Sequence, residues 1–476
     1  MFPLTSLPIL IELSSATTVA PPSLIFFILL ALFWLGPYLL RSGRLPLEAI
    51  PLFGFAAVFL VATAASIFIR IPPWRDANIL SESVEALLTF GIGAVVFFVT
   101  STWISTKPGY FKLTVQLINL SGLVVIVWSL LQGVYAFAYD SMYPSWLLHL
   151  QRMLVGRSVP LFAFRVSGFT YEPSWLAHQL NLVYLPIWAA ATLTGFSVHA
   201  RRLWFLSVEN LLLLGGLAVL FMSFSRVGWL SMLLVAVYLS FQATRRLIST
   251  LKKRFAVHDI TRSWRYYILN ALIPVGMWLV VLFVYIFVGI GMVYIGAKVE
   301  PRLQRIVQEN LLASESVFHA ANKLQFAERV VYWFTGWEIF GDYPILGVGP
   351  GNAGFFFHEK MPAFGWALTE VADTFYRFNS IPNTKSMWVR ILAETGLVGF
   401  AVFLGWYYLL WQSGRLACSS PDRLLRMSGL AGQLVLISFI VEGFSIDSFA
   451  LPYFWFSAGL FSAGAYLVRK EVSMAV

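Results

Sequence analysis

The 476-residue sequence contains little charge, a single cysteine and only six histidines. Charged residues make up 12% of it, whereas soluble domains carry about 25%. So little charge cannot cover the surface of a chain this long in water, which excludes an ordinary soluble enzyme. The one cysteine, Cys418, excludes an internal disulfide, and no Cys/His cluster has the spacing of zinc ligands. No Asp-X-Asp signature occurs either, so a metal-dependent enzyme that uses a sugar nucleotide is poorly supported.

Apolar residues are abundant instead, since 59% of the chain is hydrophobic and the mean hydropathy is +0.76. This composition excludes a disordered chain and predicts an all-α, polytopic integral membrane protein. A helix needs about 20 apolar residues to cross the hydrocarbon core of a membrane. Eleven stretches meet this requirement, and they are centred near 21–40, 49–69, 84–104, 114–138, 174–196, 204–223, 227–244, 267–296, 388–412, 427–445 and 449–468. Residues 1–20 are more broken and form either a short interfacial segment or a twelfth span.

The net charge of +10 is distributed unevenly along this pattern of spans. With the N-terminus outside, the inside connections hold 18 basic and four acidic residues, a balance of +14 against −4 elsewhere. Cytoplasmic loops of membrane proteins carry an excess of Lys and Arg. We therefore predict an outside N-terminus and a cytoplasmic C-terminus. The basic charge is an orientation signal and does not predict a nucleic-acid partner.

Two of the outside connections are long, at about 139–173 and 297–386. A structureless loop of 90 residues would be unusual, so the second is expected to have its own helical fold. Apolar residues recur there at helical spacing in two runs, which are Leu303, Ile306, Val307 and Leu311, and then Ala327, Val330, Val331, Phe334 and Trp337. The second run stops at Gly341, which is followed by Asp342-Tyr343-Pro344.

This pattern predicts three parts. Residues 1–296 form an N-terminal transmembrane bundle of about eight spans, and residues 387–476 supply about three more. Residues 297–386 form a large helical loop between them, which is the candidate lid over an external active site.

Three motifs on the predicted outer side each contain an arginine that lies at or near the membrane face. These arginines are Arg165, Arg226 and Arg329. Guanidinium groups bind phosphate oxygens in pairs and keep their charge, so such a group beside apolar helices suits a diphosphate carried on a lipid. For any one of these arginines taken alone, snorkelling or pairing with lipid headgroups is the favoured alternative, with Arg226 as the exception. Arg226 is the hardest to leave unpaired, because it lies in a very short turn between two spans.

Two further segments carry candidate features. Residues 342–352 contain three alternating glycines, but no strand precedes them and no Lys-Ser/Thr follows, so we predict a rigid turn whose amides could also contact a diphosphate. Residues 383–388 place Lys385 at the mouth of a span, either as a further positive charge over the diphosphate or as an interfacial anchor. Arg390 and Glu394 lie four residues apart on one helix face and are expected to neutralise each other.

Glu172 is the best placed candidate for a general base, because it lies at the mouth of a span and seven residues from Arg165. The interpretation of Glu172 as the salt-bridge partner of Arg165 ranks above this one. Other outside candidates for the base are Asp342, Glu359, Glu370, Asp373, His319 and His358. Glu209 and Glu442 fall within predicted spans, where they serve either as a proton relay or as hydrogen-bonded pins between helices.

These motifs resemble those of the bacterial O-antigen polymerase and O-antigen ligase superfamily. The resemblance rests on Glu328-Arg329-X-X-X-Trp333, on the run 342–352 and on the run 388–399, and it covers roughly residues 160–412. Arg165 and Arg226 also fall where that family places arginines. The resemblance implies a multi-span inner-membrane protein with a large periplasmic loop. It also implies transfer of a glycan from an undecaprenyl-diphosphate carrier to a hydroxyl, without metal or cofactor.

The ligases of this family typically carry His-Asn just before the span that follows the loop, whereas this sequence has Lys385-Ser386 there. This departure favours a polymerase over a ligase. The base of the ligases therefore cannot be carried over to this sequence. The resemblance implies that Arg165, Arg226 and Arg329 bind the carrier diphosphate and stabilise its charge as it leaves. Lys385 as a further substrate-binding residue, and Glu172 as a catalytic residue beside Arg226 and Arg329, rest on their positions alone. The expected partners are the lipid-linked oligosaccharide and membrane lipids, with a chain-length regulator as a further candidate.

A lipid-linked oligosaccharide transporter is the alternative from another functional class. Glu209 and Glu442 would supply its proton coupling. The hydropathy shows no inverted pair of broken helices, and a large one-sided loop is not needed for alternating access. The sequence therefore favours an enzyme over a transporter.

Overall fold

The computed structural model is helical throughout, apart from one short hairpin in the part of the chain it describes. The residues it describes are 22–42, 45–155, 161–200, 202–256, 326–377 and 381–475, together with 276, 279, 282–283, 286–287, 289–298 and 304. The predicted helical run at 303–311 and the candidate base His319 lie outside the described residues, apart from position 304. Most of the predicted span 267–296 and all of 1–20 lie outside them as well.

The first half of the chain contains ten helices in the described residues. They are α1 Pro22–Leu30, α2 Gly36–Ser42, α3 Ala49–Ala65, α4 Ile79–Thr106, α5 Pro108–Gly133, α6 Ser145–Val155, α7 Pro173–Gln179, α8 Leu185–Thr194, α9 Val208–Met222 and α10 Arg226–Ala256. Wider π turns join or extend some of them, at Ala31–Leu35, Val134–Ala138 and Leu180–Tyr184. A 3-10 turn, Ser66–Phe68, ends α3, and strands β1 Arg202–Leu203 and β2 Leu206–Ser207 pair antiparallel before α9.

The second half contains six further helices in the described residues. They are α11 Ala327–Asp342, α12 Phe357–Lys360, α13 Thr369–Tyr376, α14 Met387–Cys418, α15 Arg423–Glu442 and α16 Pro452–Ala475. Short 3-10 turns at Ala353–Phe356 and Ala363–Ala367 connect α11, α12 and α13. The apolar run predicted to begin at Ala327 is therefore confirmed as a helix.

Polar side chains at the N-terminal ends explain where several helices begin. Asn78 accepts a hydrogen bond from the Leu80 amide at the start of α4. Ser386 and Asp422 do the same for the Val389 and Leu425 amides at the starts of α14 and α15. Such caps satisfy amides that have no partner within the helix.

Six described helical segments are long and apolar enough to cross a membrane. They are Ala49–Phe68, Ile79–Thr106, Gly109–Ala138, Arg226–Arg245, Met387–Cys418 and Arg423–Glu442. Two shorter apolar segments, Ile25–Arg41 and Val208–Met222, coincide with further predicted spans. The prediction of a polytopic, helical membrane protein is confirmed, whereas the count of eleven spans stays a prediction.

Helix α10 runs to Ala256, beyond the predicted boundary at 244, because the Lys/Arg-rich stretch that follows the span is compatible with a helix.

Aromatic rings fill the centre of the bundle. Phe55, Phe59, Phe90 and Phe449 form one group with ring centroids 5.2–6.2 Å apart. Helices α4 and α16 approach closely beside it, since a methyl group on Gly93 would lie 2.4 Å from the Trp455 ring. Small residues such as glycine let membrane helices pack this closely.

A second apolar core lies in the residues between α10 and α14. Val331, Tyr332 and Phe357 are among its fully buried members. Trp74, from the connection between α3 and α4, belongs to the same cluster and stacks edge-on against Phe375 at 4.9 Å. We call the end of the bundle that carries residues 326–377 the loop-bearing end.

Candidate functional site

Arg165 lies at the loop-bearing end and is half-buried. Its Nε donates to the Ser223 carbonyl oxygen at 3.0 Å, and its Nη2 reaches the Phe224 carbonyl oxygen at 3.4 Å. These carbonyls belong to the short turn between α9 and α10. Arg165 is therefore held directly beside the turn that carries Arg226.

Arg226 is the first residue of α10, and an aromatic chain connects it to the large loop. Its guanidinium lies 5.9 Å from the centroid of the Phe326 ring. Phe326 packs edge-on against Trp333 at 5.2 Å, and Trp333 packs against Phe444 at 5.3 Å. The turn, α11 and the segment after α15 thus meet at one place.

Arg329 and Lys385 are joined directly. Arg329 lies on the first turn of α11, and its Nη1 donates to the Lys385 carbonyl oxygen at 3.4 Å. The Lys385 ammonium lies 5.9 Å from the centroid of the Tyr332 ring. These contacts join Arg165 to the turn of Arg226 and Arg329 to Lys385, and Phe326, which directly precedes α11, connects the two pairs. We call Arg165, Arg226, Arg329 and Lys385 the cationic group.

Strained backbone accompanies this group. Phe164, Phe224 and Lys385 have φ values of +54°, +47° and +51°, in the left-handed region that non-glycine residues rarely adopt. Each of them is a member of the cationic group or lies within two residues of one. Such strain concentrates at functional sites, where the surrounding structure holds it in place. This signal was not available from the sequence.

Two uncharged groups beside the cations bear on what they can bind. The indole N–H of Trp333 is buried and has no hydrogen-bond partner, a costly arrangement that a ligand oxygen would relieve. Burial raises the pKa of Tyr332 to about 12, so its phenol stays neutral at physiological pH. The ring beside Lys385 therefore offers a π face without adding negative charge.

A buried polar cluster under the cationic group was only partly found in the sequence. Glu442 is fully buried, and its Oε2 lies 2.5 Å from Nδ1 of His178. Asn181 donates to Oε1 of Glu442 at 2.6 Å and to the Gly228 carbonyl oxygen at 2.9 Å. The Gly443 carbonyl then accepts the Met387 amide at 2.8 Å.

These bonds tie α7, α10, α14 and α15 together at the end where the cationic group lies. They support the interpretation of Glu442 as a pin between helices rather than as a relay. Glu209 is bonded in the same manner, since its Oε1 accepts from Asn119 at 3.0 Å and from the Val198 amide at 3.1 Å. His178 and Asn181 carry no sequence signal, because single polar residues in an apolar helix are common.

Glu172 directly precedes α7, makes no capping hydrogen bond with its side chain, and is exposed. Its Oε2 accepts a hydrogen bond from the Ser174 hydroxyl at 3.1 Å. Among the other predicted base candidates, Asp342 pairs with Lys360, and Asp373 pairs with Arg377 at 2.9 Å. The remaining described candidates, Glu359, Glu370 and His358, are exposed on the large loop. The role of Glu172 as general base stays a prediction.

The glycine-rich run after α11 docks onto a kink in α14. Val348 and Gly349 donate their amides to the carbonyls of Ala393 and Glu394 at 2.9 and 3.0 Å. The kink is at Gly396, with φ +62°, where a side chain would collide with Ile345. These two amides are thus committed to the protein itself, which supports the prediction of a rigid turn.

Arg390 and Glu394 are paired, as their spacing predicted, with Nε and Oε2 3.0 Å apart. Within the described residues, no three His, Cys, Asp or Glu side chains are grouped so as to hold a metal ion.

The fold and the site together define a polytopic membrane protein with a cationic group at its loop-bearing end. Residues 211–404 match the model of a protein family described as O-antigen ligase. The chain therefore carries a domain of that family over these residues, and its members are membrane enzymes that transfer glycans. No curated protein matches the chain. The family resemblance predicted from the sequence is confirmed, and the match includes Arg226, Arg329 and Lys385.

Proposed function

We propose that this protein is a glycosyltransferase that polymerises lipid-linked oligosaccharide repeat units at the periplasmic face of the bacterial inner membrane. The observation that carries the proposal is the cationic group, because four linked, half-buried basic residues at a helix-bundle end suit a diphosphate on a lipid. The donor is an undecaprenyl-diphosphate-linked glycan.

The reaction is a single displacement. The acceptor hydroxyl attacks the anomeric carbon of the donor, a new C–O bond forms, and the bond to the carrier diphosphate breaks. The diphosphate leaves with the electron pair, and the hydroxyl proton passes to Glu172, the proposed base. Arg165, Arg226, Arg329 and Lys385 bind the diphosphate, and Arg226 and Arg329 stabilise the charge that grows on it.

The proposed orientation puts the loop-bearing end in the periplasm. This orientation is supported by helix α3, whose two ends mark opposite sides of the membrane. Glu48 directly precedes α3, and Ser66 directly follows it. Glu48 pairs with Arg469, another residue predicted to be cytoplasmic, whereas Ser66 contacts Gly349 of the loop. Eighteen residues of helix span about 27 Å, which is close to the thickness of a hydrocarbon core. The other proposed spans are the ten remaining predicted segments, with the N-terminus outside.

A second candidate is an O-antigen ligase, which would transfer the glycan from the lipid to another acceptor. The description of the matching family favours it. The presence of Lys385-Ser386 where such ligases carry His-Asn favours the polymerase.

Purified full-length protein incubated with lipid-linked repeat units tests the proposal. Longer lipid-linked chains identify a polymerase, transfer to a different acceptor identifies a ligase, and the absence of any covalent product identifies a transporter.

Alanine substitutions at Arg226 and Arg329 test the site in the same assay. Each is expected to lower the rate by about 10²–10³, because an electrostatic donor to the leaving group is lost. Protein amount and membrane insertion should be unchanged. An alanine at Arg152, an exposed arginine on α6, provides the matched control and should retain the wild-type rate. Near wild-type chain formation by both site variants would contradict the assignment.

A further inference from the structure

A cleft that is open to solvent lies beside the cationic group. It is bounded by the start of α4, the glycine-rich run, residues 381–383, α14 and the turn at 447–448. Its polar lining includes Glu82, Glu85, Asn383, Arg390, Glu394 and Asp447.

One wall of the cavity is fixed by a network of polar contacts. Arg390 and Glu394 are paired at 3.0 Å, with side chains only 13% and 6% exposed. Arg390 also donates to the Asp447 carbonyl oxygen at 2.6 Å. This wall therefore needs no rearrangement to receive a ligand, and little entropy is lost there on binding.

The charge of the lining restricts what the cavity can hold. Its four carboxylates face one guanidinium, so a phosphate or an acidic sugar would be repelled. Ionised carboxylates only accept hydrogen bonds, and the hydroxyl groups of a sugar are suitable donors to them. The Asn383 side chain, another lining group, both accepts and donates.

The cavity is also connected to the cationic group through the chain itself. Asn383 lines the cavity, and its Oδ1 accepts the Lys385 amide at 3.0 Å. A glycan that enters the cavity would therefore lie beside the proposed diphosphate site. The cationic group attracts anionic groups, whereas the cavity repels them.

We propose that this cavity binds a sugar unit that is rich in hydroxyl groups and carries no acidic group. The sugar belongs to the glycan substrate, so the inference rests on the proposed function and specifies its substrate class. Glu82 and Asp447 accept hydrogen bonds from its hydroxyls, and the Arg390–Glu394 pair shapes the wall.

Sugar binding to the full-length protein in detergent tests this site without any turnover. The probes are glucose, galactose, N-acetylglucosamine and glucuronic acid, observed by saturation-transfer NMR. At least one neutral sugar is expected to bind, and glucuronic acid is expected to bind at least about tenfold more weakly. Absence of saturable binding by all three neutral sugars, or equal binding of the acidic sugar, overturns the proposal.

Isosteric variants locate the binding. Glu82→Gln and Asp447→Asn are each expected to weaken binding of the neutral sugar about tenfold, since each replaces a hydrogen bond to a charged group with a weaker one to an uncharged group. Both substitutions should also reduce the difference in affinity between the neutral sugar and glucuronic acid. Glu338→Gln, on an exposed position of α11, is the control and should bind like the wild type. Unchanged binding by both cavity variants contradicts the site, and the comparison of sugars on wild-type protein remains decisive if a variant fails to fold.

Kinetics identify the source of the sugar. If the bound sugar belongs to the acceptor, Asp447→Asn is expected to raise the KM for a diphosphate-free oligosaccharide acceptor. If the bound sugar belongs to the donor, the same substitution is expected to raise the KM for the lipid-linked donor. In either case the kcat of the Asp447→Asn variant changes little, whereas the kcat of the Arg226→Ala variant falls. Sugar binding without any glycan transfer would leave the cavity assignment intact and refute the proposed function, whereas transfer without sugar binding would do the opposite.

Discussion

At the scale of single residues, the environment of Lys385 shows how a charge is prepared for a ligand. Its backbone is held at φ +51° by Asn383, which accepts its amide, and by Ser386, which caps α14. Its ammonium lies 5.9 Å from the centroid of the neutral Tyr332 ring, and it pairs with no carboxylate in the part of the chain that the structure describes. A cation that is oriented but not neutralised retains its attraction for a phosphate.

The raised pKa of Tyr332 makes a testable difference at alkaline pH. Between the ordinary tyrosine pKa of about 10 and its folded value of about 12, the folded state keeps a proton that the unfolded state releases. Stability should therefore fall as pH rises through this interval, by at most about 3 kcal/mol. Melting temperatures measured from pH 9 to 11.5 should show a shallower decline in Tyr332→Phe. Tyr376→Phe, at an exposed position, should follow the wild type; parallel curves for all three proteins would contradict this account.

At the scale of elements, the glycine-rich run and the kinked helix α14 form one unit. Val348 and Gly349 satisfy two carbonyls of α14, and Leu397 in turn donates to the Pro344 carbonyl at 2.8 Å. The two motifs that carry the family resemblance are far apart in sequence but in contact here. Their joint role is to hold the large loop on the bundle.

Gly347→Ala should disturb this contact. Gly347 has φ +66°, and a methyl group there would lie 2.4 Å from the carbonyl carbon of Glu394. The left-handed backbone alone costs about 1–2 kcal/mol for alanine, and the collision adds to it. Limited proteolysis should cut the loop faster, and the melting temperature should fall.

Gly341→Ala is the matched control for that variant. It lies in the last turn of α11, where a methyl group meets no heavy atom within 4 Å. Its stability should be unchanged or higher by up to about 1 kcal/mol. Equal stability of the two variants would show that the docking contact does not require glycine.

At the scale of the whole molecule, an early helix and the last described helix of the bundle are joined at the end away from the loop. Glu48, at the start of α3, is fully buried and accepts from Arg469 of α16 at 3.0 Å and from Ser462 at 2.8 Å. Ser413 of α14 donates to the same carboxylate. One buried charge thus connects three helices that are distant in sequence.

Arg469→Ala should destabilise the entire bundle. Removing one partner of a buried pair leaves the other charge uncompensated, at a cost of about 3 kcal/mol, the lower end of the range for such losses. Lys470→Ala removes the same charge from the exposed neighbouring position and should cost much less. Thermal unfolding in detergent distinguishes them, and similar melting temperatures would argue against a structural role for this pair.

The sequence by itself determined the class of protein and most helices, because hydrophobic runs of about 20 residues have few alternatives in a membrane. It also identified the four members of the cationic group, since an arginine beside a span is conspicuous in a chain with 12% charge. Only the tertiary structure showed that contacts link these four residues. It also revealed the His178–Glu442 pair and the acidic cavity. Their members come from helices hundreds of residues apart, and long-range packing leaves no periodic signal in a single sequence.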